Sequence, residues 1–568
     1  AGGLNKDYVV IRDIDLSSFN QPTSLINGIF TGNFDGKDFT LSNLSITVES
    51  KPGGIALFAG LSGASISNLN LENFNLNHAA IATSFLAVAA YGNVTIQDIS
   101  ITNSSISADD TVGGLFGGVG GSLTVNNVTL STIIDGSKGI GGLIGVTDNA
   151  SITISNVNSY SLINGSSRIG GIIGENKNST LTITNVSNFG NVEGSSVNVG
   201  GIVGLNFTNS SLTMTDISNA GTIKSSGGNL GGIIGANSSN SYLTMTAIIN
   251  TGKIETLSNA SNIGGIIGTN DASATLNSIS NSGNVSASSD IVGGIIGSNG
   301  ASATLNNVSN SGVVTTKSDN VGGLVGENEG DLVVNFSSNA GNVSGASFVG
   351  GIVGYNVSDL TISNTSNAAV VSASETAVGG IVGINTTDTN GGNNLYGAIT
   401  MTYVDNHGDI NGPINVGGII GSSFGTITLS SIINDGEVNG FSRYVGGIIG
   451  LEVGSRRVSA TSIFASVSGQ DNVGGIIGGN DNSILITNTS NTGSIRGANS
   501  VGGLIGNLEG ISSAHLMSNY NAGNVTGTEN VGAIVGQTST SQSNLTISAV
   551  FYLTGSALSD IGIDGGLS

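Results

Sequence analysis

The chain has 568 residues, with 92 Gly, 3 Pro and neither Cys nor Trp; charged residues make up 9%, and 14 Lys+Arg against 36 Asp+Glu leave a net charge of −22. This excludes collagen, which needs Pro and a glycine every third residue, and any disulfide framework or Cys-ligated metal centre. It also argues against nucleic-acid binding, which needs dense Lys and Arg to meet phosphate, and the 38% apolar content argues against disorder.

No run approaches the 18 apolar residues of a membrane-spanning helix, so no transmembrane segment is expected. Ala1-Gly2-Gly3-Leu4 is not a basic-then-apolar leader, and the start reads as mature chain. Tyr8-Val9-Val10-Ile11 and Ile14-Asp15-Leu16 read as short strands. Phe30-Thr31-Gly32-Asn33-Phe34-Asp35-Gly36 and Phe39-Thr40-Leu41-Ser42-Asn43-Leu44 follow. From Val112 a six-residue block begins, apolar-Gly-Gly-(Ile/Leu)-(Ile/Val/Phe)-Gly. It recurs fourteen times up to Val501, and a fifteenth copy at Val531 carries Ala533 in place of the second glycine. Spacings run from 28 to 33 residues, with one of 38 that reflects an insertion at 385–394, rich in Thr, Asn and Gly and expected to be a loop.

Each unit also carries an alternating stretch such as Leu181-Thr182-Ile183-Thr184, then Asn-x-Gly-x-(Val/Ile), as in Asn188-Phe189-Gly190-Asn191-Val192. Period-two alternation argues strand, and the Gly/Asn/Ser clusters between such runs argue turns. A unit of ~29 residues cannot bury its own apolar side, so neighbours must stack. A propeller blade would need ~40–50 residues. The expected fold is all-β: a right-handed parallel β-helix (β-solenoid) of about 18 coils, roughly 85 Å long at ~4.8 Å per coil, with atypical capping ends. Residues 1–50 read as N-terminal capping strands and first coils, 51–539 as the repeat array, and 540–568 as a closing segment.

Asn188, Asn219, Asn250, Asn281, Asn310, Asn339, Asn367, Asn406, Asn434, Asn491 and Asn521 stand in register, each before x-Gly except Asn367, which precedes Ala368-Ala369. Stacked at one corner they would hydrogen-bond amide to amide as a ladder, while Asn also suits a left-handed turn. The adjacent apolar pair of the block, such as Ile172-Ile173, leaves two alternatives. Either the Gly-Gly step bends the chain so both side chains turn inward, or one paints an apolar stripe outside.

Gly114-Leu115-Phe116-Gly117, Gly142-Leu143-Ile144-Gly145 and Gly323-Leu324-Val325-Gly326, together with the Phe-x-Gly-x-Phe-Asp-Gly opening and the Val550-Phe551-Tyr552-Leu553-Thr554-Gly555 tail, resemble bacterial-type GLUG-motif repeat proteins. The resemblance spans nearly the whole chain. It implies a β-helix of secreted or cell-surface, adhesin-like character and carries over no peptidase residue.

Chemistry is sparse in the sequence. His78, His407 and His515 are too far apart for a metal site or a catalytic triad. Carboxylate pairs Asp13/Asp15 and Asp109/Asp110 were weighed for glycoside chemistry, and Arg443, Arg456 and Arg457 with Glu452 form the one basic cluster, a candidate polar contact patch for sugar or carboxylate. No calcium-loaded β-roll motif is present, and Asn277, Asn306 and Ser363 interrupt the Thr-x-Thr pattern that an ice-binding array would need. Candidate glycosylation acceptors include Asn103, Asn149, Asn178, Asn206, Asn237, Asn342, Asn385 and Asn544. No cofactor or metal site is expected. The leading expectation is an extracellular structural protein without catalysis, an adhesin stalk or self-assembling filament subunit whose partners are its own copies, glycans or a host-surface ligand. The alternative is a carbohydrate-binding or carbohydrate-active β-helix, lyase- or hydrolase-like.

Overall fold

In the computed structural model, residues 3–19, 21–48, 53–78, 82–258, 260–288, 290–386, 397–454, 456–509, 513–538, 544–553 and 561–563 are described. The chain divides into two compact units, Ala1–Asn284 and Val285–Ser568. Every regular element among the described residues is a strand, and the architecture is a parallel β-solenoid of about 18 coils, ~29 residues apart.

A representative coil of the first unit has four strands: a long one, Thr180–Asn188, then Val192–Gly194, Val199–Gly200 and Val203–Phe207. Each pairs in parallel with its counterpart one coil on, with Leu181 opposite Leu212, Ile183 opposite Met214, Val192 opposite Ile223, Val199 opposite Leu230 and Val203 opposite Ile234. Like therefore stacks on like, and apolar ladders fill the interior. The second unit repeats the plan, as in Ile399–Asn406, Ile410–Gly412, Ile414–Gly417 and Ile420–Ser423. These stack on the next coil with Met401 opposite Leu429, Ile410 opposite Val438, Val416 opposite Val445 and Ile420 opposite Ile449.

Two local devices turn the chain. Midway along the long strand one residue adopts a left-handed conformation, Asn185 (φ 54°) in the first unit and Asn364 (φ 48°) in the second. It switches the phase of the alternation, so that Leu181 and Ile183 before it and Val186 and Asn188 after it all point inward. Asn and Asp recur there because their short polar side chains tolerate this region best after Gly.

The second device is the Gly-Gly step. A Cβ on Gly170 would lie 2.0 Å from the Ile173 carbonyl oxygen, and one on Gly171 would lie 2.0 Å from the Gly201 carbonyl oxygen. Close backbone approach, rather than an unusual φ, requires glycine here. The bend lets Ile172 and Ile173 both point inward, each 0% exposed. The outward apolar stripe considered from the sequence does not form.

The segment 1–50 already winds in the same way, with Tyr8 opposite Phe34 and Ile14 opposite Leu41. Aromatic rings pack in its first coils, with the Phe30–Phe58 and Phe34–Phe58 ring centroids 5.3 and 5.6 Å apart. Within the closing segment, Asn544–Ser548 pairs with Ser513–Met517 and Phe551–Tyr552 with Tyr520–Asn521. Of the insertion at 385–394, residues 387–394 lie outside the described residues.

One outward column is more regular than the interrupted Thr-x-Thr reading allowed. Thr95, Thr124, Thr153, Thr182, Thr213, Thr244 and Thr275 follow one another without a break through the first unit. The adjacent column, two residues on, is mixed: Gln97, Asn126, Ser155, Thr184, Thr215, Thr246 and Asn277.

Candidate functional site

The third and fourth strands of each coil meet at the Gly-Gly bend and enclose an outward-facing elbow. The residue before the block enters it in the left-handed conformation in nearly every coil, for example Asn198, Asn229, Asn320, Phe348 and Tyr444. The residue seven positions later faces it across the elbow. Arg168 and Glu175 form an ion pair of 2.7 Å there, with side-chain exposures of 35% and 7%. Phe348 and Tyr355 pack with ring centroids 5.6 Å apart, and across coils Asn229 accepts from Thr269 at 2.7 Å and Ser500 donates to Gln537 at 2.6 Å.

Glu327 sits at the same place in its coil. Burial raises its carboxyl from the ordinary 4.5 to about 7; the nearby charge of Glu329 adds to this, and a hydrogen bond from Asn320 opposes it. Tyr444 is raised as well, by burial first and then by Glu509, whose carboxylate it approaches at 3.4 Å. Where the elbow residues are small, in the first unit, a cleft of about 380 Å³ opens between Tyr91, Thr111, Gly118, Val146 and Asp148. Asp148 is held there by Lys177, Asn149 and Asn178 at 3.4, 3.0 and 3.1 Å.

The Asn residues read as a ladder are buried. In the first unit Asn188 donates to Asn219 (2.9 Å), Asn219 to Asn250 (2.8 Å) and Asn250 to Asn281 (2.8 Å). In the second unit the run is Asn310, Asn339, Asn367, Asn406 and Asn434, at 2.7–2.9 Å, and Asn491 donates to Asn521 at 2.8 Å. Ile463 occupies the ladder position between Asn434 and Asn491. Each amide also caps the backbone two residues on, as Asn219 does with the Gly221 carbonyl at 3.0 Å.

A second interior ladder escaped the sequence reading. It starts at Thr147 and runs through Asn176, Asn206, Asn237 and Asn270 in the first unit, at 2.7–2.8 Å. In the second it runs through Asn299, Asn328, Asn356 and Asn385, at 2.8 Å. The signal was an Asn two residues after the last glycine of most blocks, as in Gly174-Glu175-Asn176 and Gly204-Leu205-Asn206. This corrects three proposed glycan acceptors: Asn206, Asn237 and Asn385 lie inside with their amides engaged and are closed to modification in the folded chain. Asn103, Asn149 and Asn342 are exposed and Asn178 is half-buried; the side chain of Asn544 lies outside the described residues.

The other candidates fall apart in space. Asp13 accepts the Thr40 N–H and Asp15 accepts the Ser17 N–H, both at 2.9 Å, so each holds backbone in place. The Ser17 bond, with that of Asn43, keeps the Asp15 carboxyl below its usual range. Asp109 and Asp110 occupy the turn before Thr111–Gly113. Arg443 stands over the Tyr444 ring at 5.4 Å, whereas Arg457 is exposed on the long strand between Thr428 and Leu485, so the basic cluster is not assembled; the side chain of Arg456 lies outside the described residues. Glu452 is buried at a ladder position, accepting from the Val453 N–H at 3.1 Å. His407 pairs with Asp435 at 2.7 Å, and His515 is exposed in another coil; the side chain of His78 is not among those described. No group of three or more His, Asp or Glu able to hold a metal occurs among the described residues. Among the described residues no helix is long and apolar enough to cross a membrane.

The chain matches no protein-family model, no curated protein and no solved structure.

Proposed function

We propose that this chain is an extracellular structural protein without catalysis, a rigid β-solenoid that serves as an adhesin stalk or as the subunit of a self-assembling surface filament. The observation that carries the reading is how the polar groups are used. Two interior amide ladders bond coil to coil, and ionisable groups are taken up in local pairings, as Arg168 with Glu175, His407 with Asp435 and Glu255 with Lys224 and Lys253. A buried polar network satisfied along its run stiffens a fold. The lack of cysteine in 568 residues and the resemblance of the blocks to GLUG motifs support an extracellular setting.

Two measurements test it. Protease shaving of intact source cells should release peptides of this chain, and electron microscopy of concentrated protein should reveal polymers if it self-assembles. Intracellular retention would overturn the extracellular part. New reducing ends or unsaturated sugars after incubation with a polysaccharide panel would overturn the non-catalytic part.

A further inference from the structure

Within the second unit the left-handed corner of the long strand departs from its usual chemistry. Where other described coils place Asn, Asp, Ser or Ala, two place large rings: Phe336 (φ 50°) and Tyr403 (φ 56°), 66% and 62% exposed. This conformation is disfavoured for bulky residues, and the rings are not repaid by burial. Backbone strain joined to an exposed aromatic surface points to use.

The register fixes their relation. Asn335, Ser363 and Thr402 stand opposite one another, as do Ser338, Ser366 and Asp405. Phe336, Asn364 and Tyr403 therefore occupy one corner of three successive coils, and the two rings are two coil steps apart, about 9.6 Å. Between them Asn364 is exposed and makes no side-chain hydrogen bond among the described residues. Thr361 and Thr400 present hydroxyls nearby, and Asp405 lies on the same long strand as Tyr403. Asp331, Asp359, Glu375 and Asp409 are exposed elsewhere on these coils, and no Lys or Arg occurs between 318 and 442.

We propose that Phe336, Asn364 and Tyr403 form a binding strip for a neutral, β-linked polysaccharide. Two rings stack on the C–H faces of alternate pyranose units, and the amide between them hydrogen-bonds the hydroxyls of the intervening sugar. A ring every second coil, with a hydrogen-bonding group at the step between, matches a ligand whose own repeat is two extended sugar residues. The carboxylates of these coils, with no Lys or Arg beside them, repel a uronate and favour an uncharged glycan. The inference rests on the adhesin reading above and names its partner.

The test is affinity electrophoresis of the full chain through gels containing hydroxyethyl cellulose, mixed-linkage β-glucan or, as the acidic comparison, polygalacturonate. The wild type should be retarded by a neutral glucan and not by polygalacturonate. The double variant Phe336→Asn/Tyr403→Asn installs the residue that other coils use, so it should keep or raise the thermal midpoint while affinity falls at least tenfold. Equal retardation of wild type and variant would overturn the proposal, as would free migration of the wild type through both neutral gels. Loss of a concentration-dependent oligomer in the variant, seen by sedimentation, would also overturn it by showing the rings to be a contact between copies. Polysaccharide cleavage would sink the scaffold reading alone and leave the strip standing.

Discussion

Replacing Asn219 by Ala tests the interior ladder most directly. The Asn219 amide accepts from Asn188 at 2.9 Å and donates to Gly221 O at 3.0 Å and to Asn250 Oδ1 at 2.8 Å. At about 1 kcal/mol net per bond, the loss comes to about 3 kcal/mol before any allowance for the void. In a stacked array the effect should stay near the altered coil. Hydrogen exchange followed by mass spectrometry should therefore show peptides within 211–252 exchanging on the order of a hundredfold faster, with 427–438 unchanged. The Asp variant adds a sign. Its carboxylate would face the Gly221 carbonyl and the Asn250 Oδ1, so burial and these acceptors should raise its folded pKa above the unfolded ~3.9. Its stability should be greatest below that value and fall as pH rises, a trend the Ala variant lacks. Asn191→Ala serves as the comparison, because Asn191 is exposed and only accepts the Thr222 N–H at 2.9 Å. Equal exchange in the Asn219→Ala and Asn191→Ala proteins would refute the reasoning.

Gly201→Ala places a Cβ 2.1 Å from the Gly232 carbonyl oxygen and should abolish stacking at that coil, whereas Gly118→Ala meets nothing within 4 Å and should leave the thermal midpoint within error. Glu327, raised to about 7 chiefly by burial, holds in the folded chain a proton that the unfolded chain releases above about 4.5. Its contribution to stability should therefore be complete on the acid side and be lost as pH rises from about 4.5 to 7; Glu327→Gln should flatten that slope in denaturant titrations and stabilise the protein at pH 8. Arg168→Ala leaves Glu175 buried without its cation and should cost about 3 kcal/mol, while Lys177→Ala breaks an exposed pair and should cost under ~1 kcal/mol, both read from urea midpoints.

The coil was legible because its signals repeat: a six-residue block, an alternating stretch and an Asn-x-Gly turn recur about every 29 residues, and stacking turns each recurrence into a ladder. The second amide ladder was equally present in the sequence, as Gly-x-Asn after the block. Asn206, Asn237 and Asn385 also begin Asn-x-Ser/Thr triplets, so a surface reading competed with an interior one, and spacing alone does not say which side of a strand faces in. The phase switch at Asn185 or Asn364 was hidden for a related reason: two inward residues separated by three positions look like a lapse in alternation until the left-handed residue between them is seen. The elbow pairs were beyond reach, because Arg168 with Glu175 or Phe348 with Tyr355 meet only once the Gly-Gly step has folded the chain back. The apparent cluster of Arg443 and Arg457 shows the converse, since nearness along the chain placed them on different strands.

The bond that closes the enlarged coil has a practical consequence. One coil earlier the Asn356 amide caps the Ser358 carbonyl, two residues on, at 2.7 Å; Asn385 makes the equivalent bond to Gly397 at 3.1 Å, twelve positions later. The same amide that bridges coils thus acts as a clasp, and chain of arbitrary content can be spliced in behind it without disturbing the stack. The span between Thr386 and Gly397 is a natural port for displaying a foreign epitope or enzyme, and the turn after Asn356, whose amide makes the same kind of bond, could be opened in the same way.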